Sequence, residues 1–344
     1  MAIIIFVAAY ALIISEKVHR TIVGIFGAML MILCGIISQE TAISHIDFNT
    51  LGLLIGMMII VNITSETGLV NFLAIWAAKK VKARPIALLV ALSALTMVCS
   101  ALLDNVTTVL LTVPITFSIT AQLKVDVKPY LISQILASNI GGTATLIGDP
   151  PNIMIGSAVK QLTFMSFIEN LAPIVFLNLV VVLAILAFVY RKGLHTTPEL
   201  QAELMQMDEK KALKNRGLLM RCLLVLSLVI LGFFTHSITH IESSMIALAG
   251  GFLILLLAGG SHHLVESTMK SVEWATIFFF IGLFIAVGGL VETGIIRDLA
   301  LQAMHITNGD VTATALLILW LSALVSSVLD NIPFVATMIP LIQD

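Results

Sequence analysis

Ser138-Asn139-Ile140-Gly141-Gly142-Thr143-Ala144-Thr145-Leu146-Ile147-Gly148-Asp149-Pro150-Pro151-Asn152 is a polar, Gly- and Pro-interrupted segment set between two strongly apolar ones. Inside hydrocarbon every backbone N–H and C=O needs a partner, so irregular backbone at membrane depth survives only where protein buries it or it lines a wet cavity. The stretch is therefore a broken helix and a site candidate. Its surroundings fit that setting. Of 344 residues, 59% are hydrophobic and 11% charged, with mean hydropathy +1.07, which excludes an ordinary soluble domain. A net charge of −2 without long charged runs gives no sign of a nucleic-acid partner. Cys34, Cys99 and Cys222 lie far apart in apolar sequence and read as small hydrophobes. Residues 1–15 lack a charged leader and a cleavage site, so they read as a first span.

Apolar segments fall at 1–15, 21–38, 50–65, 86–121, 129–160, 164–190, 218–236, 243–260, 274–291 and 311–342. A span needs roughly 20 residues, whereas 86–121 is far longer and carries Asp104-Asn105 at its middle. It reads as a re-entrant hairpin. Placing Lys79, Lys80, Lys82 and Arg84 in the cytoplasm, a hairpin leaves 16 of the 18 Lys and Arg residues inside, with Lys160 and Arg297 outside; a single crossing leaves 8. The positive-inside bias favours the hairpin.

An offset of 226 residues aligns rare polar positions. Asp47-Phe48-Asn49-Thr50 meets Glu273-Trp274-Ala275-Thr276, and Glu66-Thr67-Gly68 meets Glu292-Thr293-Gly294. Ser100 meets Ser326, Asp104-Asn105 meets Asp330-Asn331, and Pro114 meets Pro340. An odd number of crossings separates equivalent points, which makes the second copy inverted, the architecture of secondary transporters with sites at broken helices near the midplane. The expected division is residues 1–190, a cytoplasmic connector at 191–217, and 218–344, whose hairpin is 311–342. The counterpart of the opening stretch would fall near 364–378, so the chain reads as C-terminally incomplete.

A charge at the bilayer centre is tolerated with a partner, a proton, an ion or water. Asp104, Asn105, Thr107 and Thr108 at one tip, and Asp330 and Asn331 at the other, are accordingly ion-site candidates; the structural alternative is that Asp and Asn cap the returning helix. In the opening stretch Gly141, Gly142 and Gly148 permit conformations a helix excludes, and Pro150 and Pro151 free preceding carbonyls for a cation. Ser138, Asn139, Thr143, Thr145 and Asn152 add neutral oxygens, and Asp149 could carry a proton. A sodium ion at Asn105, Ser138, Asn139 and Gly142 is one expectation. The structural alternative is a Pro-kinked helix. Glu66 and Glu292 are weaker relay candidates, followed by C-capping Gly68 and Gly294 and by runs 69–80 and 295–306 expected along the membrane interface. His262-His263 reads as a solvated pair. Gly52 and Gly56 form a packing G-x-x-x-G. There is no P-loop, no nucleophile–base pair and no zinc motif, so no catalytic residue and no enzyme activity are assigned.

At these residues the chain resembles the ion transporter superfamily, in the branch of arsenite permeases, sodium–proton antiporters and the melanosomal P protein. The resemblance rests on Leu103-Asp104-Asn105-Val106-Thr107-Thr108, Ser138 to Asn152, Val272-Glu273-Trp274-Ala275-Thr276 and Leu329-Asp330-Asn331-Ile332-Pro333-Phe334. It implies a homodimer of scaffold and elevator-like transport domains. Dicarboxylate relatives carry Ser-Asn-Thr at the tips, which bind sodium and a carboxylate; here Asp replaces Ser at both, and a like charge would meet a carboxylate.

The fold class expected is an all-α polytopic membrane protein with an inverted repeat. Its expected function is secondary active transport of a small inorganic ion or oxyanion, such as arsenite, sodium or another anion, coupled to protons or sodium. In a bacterium it would sit in the inner membrane. The alternatives are a gated channel, and the membrane subunit of an arsenite pump with a soluble ATPase partner.

Overall fold

The computed structural model describes residues 1–327 and 329–343, and no strand occurs among them. In chain order the helices are α1 (Ala2–Ile14), α2 (Arg20–Leu33), α3 (Gln39–Ser44), α4 (Phe48–Glu66), α5 (Leu69–Lys80), α6 (Pro85–Leu102), α7 (Asn105–Leu123), α8 (Lys128–Gly142), α9 (Pro150–Ala158), α10 (Phe164–Tyr190), α11 (Pro198–Met205), α12 (Arg216–Thr239), α13 (Ser243–Leu257), α14 (His262–Ser271), α15 (Trp274–Glu292), α16 (Ile295–Ile306), α17 (Val311–Ser326) and α18 (Asn331–Gln343). A 3-10 turn, Glu209–Ala212, precedes α12. Among the described residues α4, α6, α7, α10, α15 and Arg216–His236 of α12 are each long and apolar enough to cross a bilayer. On α10, Ile174, Phe176, Leu177, Val181, Ile185 and Phe188 are exposed, a belt that lipid tails solvate and water would not. The chain is an all-α polytopic membrane protein.

The repeat is written into the backbone. α4 and α15 begin and end 226 residues apart, as do α5 and α16, and α7 and α18 begin so. Gly68 and Gly294 are both left-handed, with φ of 80° and 75°. Lys82 and Ala83, at 55° and 52°, are matched by Asn308 and Gly309 at 53° and 72°. Left-handed backbone is costly for a residue with a Cβ, so its recurrence at one offset marks a shared turn between the fifth and sixth elements of each copy. The acidic starts agree as well. Asp47 Oδ1 accepts the N–H of Asn49 at 3.0 Å and of Thr50 at 3.2 Å, and Glu273 Oε2 accepts the Thr276 hydroxyl at 3.1 Å.

Cα-level packing forms two units. In the unit of Met1–Leu51, Ser157–Val159 and Glu273–Asp344, α15 lies along α2, with Ala28, Met31, Ala42, Ile285 and Leu290 in the core. A Cβ at Gly282 would come within 2.6 Å of Gly24 O and Ile25 N. In the unit of Gly52–Gly156 and Lys160–Val272 the equivalent Gly56 would meet Ala247 O and Leu248 N at the same 2.6 Å. The G-x-x-x-G is thus a packing seam. The core of this unit gathers Leu88, Leu89, Leu92, Ile119, Leu123, Tyr130 and Ala137.

One expectation is corrected here. Run 69–80 does not lie free along a surface: Val70, Ala74, Ile75, Ala77 and Ala78 of α5 are buried, and the exposed face is narrow, with Trp76 and Lys80. α16 keeps exposed Leu299 and Leu301. The charged connector, residues 191–217, is packed against the helices of its unit. Leu194 and Leu204 enter the core, Lys214 N–H donates to Thr67 O at 3.0 Å, and Lys79 Nζ donates to Glu209 at 2.6 Å and to Met207 O at 3.0 Å. The Lys79 hydrogen bond holds the Glu209 carboxyl below its ordinary value.

Candidate functional site

α6 and α7 meet at a turn formed by Leu103 and Asp104. Leu103 is extended, and Asp104 caps α7 by accepting the Thr107 N–H at 2.8 Å. The arms contain 18 and 19 residues, ~27–29 Å at ~1.5 Å per residue. α8 lies against both. Tyr130 donates to Pro85 O at 3.0 Å, Gln134 bridges Thr96 and Thr116 at 3.3 and 3.0 Å, and Ser138 meets Ser100 and Asn105. Contact positions rise together on α8 and α6 and fall on α7. Hence α8 runs parallel to α6 and antiparallel to α7, with the Ser138 end at the turn.

At that end the polar groups interlock. Ser100 Oγ donates to Ser138 O at 2.7 Å, and Ser138 Oγ donates to Asn105 O at 2.9 Å. Asn105 Nδ2 donates to Asn139 Oδ1 at 3.2 Å. Asn105, Val106, Val109, Leu110, Ile135, Ser138 and Asn139 line a depression of about 280 Å³. α8 stops at Gly142 and α9 starts at Pro150, so 143–149 is the predicted break. Asn152 Nδ2 donates to Gly142 O, Thr143 O and Thr145 O at 3.3, 3.3 and 2.8 Å, and Thr145 Oγ1 donates to Ala101 O at 2.5 Å. The loop is thereby held to α6 and to itself.

These contacts correct three expectations. Gly141 and Gly142 belong to α8 and, like Gly148, do not have positive φ; they are glycines because backbone passes close to backbone. A Cβ on Gly141 would lie 2.8 Å from Met97 Cα, one on Gly148 2.8 Å from Ser100 O, and one on Gly142 2.9 Å from Gly148 O. Asn152 serves through its amide nitrogen as a clamp, since three carbonyls converge on it. The carbonyls of Gly142, Thr143 and Thr145 are consequently not wholly free: each accepts one hydrogen bond from Asn152 and keeps a second lone pair.

Thr108 is buried and its hydroxyl has no partner, while Thr107 is half-buried. Asp149 is 9% exposed within the break. Thr143, exposed, donates to Asn139 O at 3.0 Å. Asp104 has no Lys or Arg within ion-pair distance among the described residues, whereas Asp330 pairs with Arg20 at 2.9 Å. Asn331 begins α18. Glu292 pairs with His45 at 3.0 Å, Glu66 is exposed, and His262 and His263 are exposed at the start of α14. Thus the structure gathers Asp104, Asn105, Ser138, Asn139, Gly141, Gly142, Thr143, Thr145 and Asn152 at one place. It also adds Ser100, Thr96, Thr116 and Gln134. The threonines at 108, 112, 116 and 120 recur every four residues, a signal for a polar seam on one face of α7.

Chemically the gathered groups are hydroxyl, amide and carbonyl oxygens with two carboxylates, Asp104 and Asp149, and no thiol, a hard donor set. No cluster of three or more His, Cys, Asp or Glu suited to a metal ion occurs among the described residues.

Comparison with known proteins agrees with this architecture. An uncharacterized transporter of Mycobacterium tuberculosis is 42% identical over 348 residues, covering all of this chain and 80% of its own length. A 46 kDa membrane protein of Mycobacterium leprae is 39% identical with the same coverage. The P protein of Homo sapiens is 31% identical over 413 residues, covering 97% of this chain and 49% of that protein. The sequence model described as citrate transporter matches residues 10–344. With that match and a broken helix seated against a polar hairpin turn, the chain belongs to the citrate transporter family of the ion transporter superfamily and is an integral membrane transporter.

Proposed function

We propose that the chain is a secondary active transporter of a small anion, with the Asp104 turn and the 143–149 break as its substrate surface and a proton or sodium gradient as its driving force. The observation that carries this reading is the interlocked polar cluster of Ser100, Asn105, Ser138 and Asn139 at the end of a buried polar seam between α6, α7 and α8. Polar groups at such depth are costly to place and favour a transport role over a packing one. The family's description names citrate, which makes a carboxylate the first cargo to test, ahead of arsenite, sodium and chloride. The electrostatic objection to a carboxylate is weaker than the sequence implies, because Arg20 balances Asp330. Asp104 has no cationic neighbour within ion-pair distance among the described residues and takes the coupling role. Sodium fits the donor set of Asn105, Ser138, Asn139 and Gly142, although three donors must turn away for it to bind. Membership of the bacterial inner membrane, a cytoplasmic 191–217 segment and a homodimer belong to the same proposal.

The test is counterflow in proteoliposomes with radiolabelled citrate, arsenite, sodium and chloride at two pH values. Saturable uptake driven by unlabelled citrate on the other side supports the reading. Flux that follows the electrochemical gradient without saturation or counterflow refutes it in favour of a channel, and flux that requires ATP refutes it in favour of a pump subunit.

A further inference from the structure

The base of the α6–α7 hairpin, at the opposite end from the Asp104 turn, gathers positive charge that the transport reading does not use. α6 begins and α7 ends there. The Tyr130 hydroxyl donates to Pro85 O at 3.0 Å and brings in the start of α8, and the Thr196 hydroxyl donates to Leu123 O at 2.7 Å and brings in the chain that follows α10. Residues 79–84, 124–128 and 191–192 thus share one face. They hold eight Lys or Arg residues and one carboxylate, Asp126. Lys79 pairs with Glu209 at 2.6 Å, whereas the other cations form no ion pair among the described residues, with Glu199 and Glu203 of neighbouring α11 included.

Three of these cations stand one helical turn from an exposed apolar side chain. Lys80 Nζ lies 5.5 Å from the centre of the Trp76 ring on α5, and Arg191 Cζ lies 4.1 Å from that of Phe188 at the end of α10. Lys128 precedes Ile132 by one turn on α8. Trp76, Phe188 and Ile132 are 46%, 64% and 42% exposed. In each pair the cation is on the side of the base and the apolar side chain on the side of the spans, which is the layering of a phosphate above an acyl chain. A small aqueous anion would use only the charged half.

The second copy shows that the fold does not require this arrangement. Lys82-Ala83 and Asn308-Gly309 share left-handed backbone, yet the equivalents of Trp76, Lys80, Lys82 and Arg84 are Gln302, Ile306, Asn308 and Asp310. An excess of Lys and Arg on one face orients a membrane protein. Orientation does not demand that three cations on three helices each pair with an exposed apolar side chain at helical spacing.

We propose that the base of the α6–α7 hairpin is a docking surface for anionic phospholipid, with headgroup phosphates on Lys80, Lys128 and Arg191 and acyl chains along Trp76, Ile132 and Phe188. The contact ties the base of the hairpin to the membrane face.

Trp76 is the reporter. The full chain carrying Trp274→Phe and Trp320→Phe is reconstituted in phosphatidylcholine vesicles containing brominated phosphatidylglycerol or, at the same mole fraction, brominated phosphatidylcholine. Brominated phosphatidylglycerol quenches Trp76 more strongly by about twofold or more, and the excess shrinks in high salt. Adding Lys80→Gln, Lys128→Gln and Arg191→Gln together brings the two lipids to equality, with an unchanged melting temperature as the check on folding. Lys80→Gln alone, at an exposed position, lowers the excess and serves where the triple variant does not fold. A chain whose only tryptophan is Trp320, which has no Lys or Arg within a turn, is quenched equally by both lipids. Equal quenching of Trp76 by the two lipids, an excess that survives the substitutions, or the same excess at Trp320 overturns the proposal. An excess abolished by soluble glycerol phosphate marks a site for a free phosphate and overturns it as well.

Discussion

Gly141 is the position where the packing of the broken helix is most directly tested. In the substitution Gly141→Ala the added methyl lies 2.8 Å from Met97 Cα and 2.9 Å from Met97 C, and closer still to Met97 O. All three are backbone atoms of α6, so no flexible side chain can yield. Carbon atoms pack best at about 3.5–4.0 Å, so α8 must withdraw from α6 by about 1 Å. That withdrawal stretches the Ser100–Ser138 bond, at 2.7 Å, and the Gln134–Thr96 bond, already at 3.3 Å. Overpacking of this kind costs about 1–3 kcal/mol, and each stretched buried hydrogen bond adds about 1 kcal/mol. A total of about 3–5 kcal/mol exceeds the gain of about 1 kcal/mol from replacing glycine by alanine in a helix. Gly27→Ala is the control, because its methyl would rest 3.5 Å from the Ala9 Cβ, an ordinary contact. Melting in detergent, followed by intrinsic fluorescence, reads both. Gly141→Ala is expected to lower the apparent melting temperature by about 5 °C or more and to abolish counterflow, with Gly27→Ala at or above wild type. Equal stability of Gly141→Ala and wild type, or an equal loss in both variants, refutes the close-approach account.

Asn152→Ala removes one donor from three carbonyls and leaves them buried; a loss of about 1–3 kcal/mol together with faster proteolysis within 143–149 is expected, and wild-type protection there would refute the clamp. Asp104→Asn keeps an equally good cap, so stability stays within about 0.5 kcal/mol while coupled flux is lost, whereas Asp104→Ala also costs about 1 kcal/mol of stability; unchanged coupling in Asp104→Asn would remove that residue from the mechanism. Glu209 has a folded-state pKa lowered by Lys79, so its contribution is fully present above its ordinary unfolded value near 4.5 and is lost as pH falls through the lower folded value. The 198–212 segment should therefore become sensitive to an acid-active protease below about pH 4.5, and in Lys79→Met that sensitivity should already be present at neutral pH; protection of Lys79→Met equal to wild type would show that the pair does not hold the segment.

The amino-acid sequence carried the membrane setting, the hairpin turn at Asp104, the break between Gly142 and Pro150, and the 226-residue repeat. Each is a local or periodic property: apolar length sets a span, helix breakers set an interruption, and equal spacing of rare polar residues sets a repeat. The left-handed turns at 82–83 and 308–309 show that the spacing specified backbone as well as side chains. The helical period also carried the threonine seam of α7.

Only tertiary structure decided what the polar residues touch. Gly141 of α8 and Gly148 of the break are demanded by the approach of α6, contacts between residues more than forty positions apart that no local rule contains. Asn152 becomes a donor because three carbonyls converge on it, and the charged connector packs because Leu194 and Leu204 find an apolar face to cover. Arg20 reads in sequence as one of many flanking positive charges, and it becomes the partner of Asp330 across 310 residues. The sequence already separates the two hairpin turns by Pro333 at the position of Thr107, and the pairing adds a difference of charge, because a charge takes its chemistry from its neighbours and chain folding chooses the neighbours.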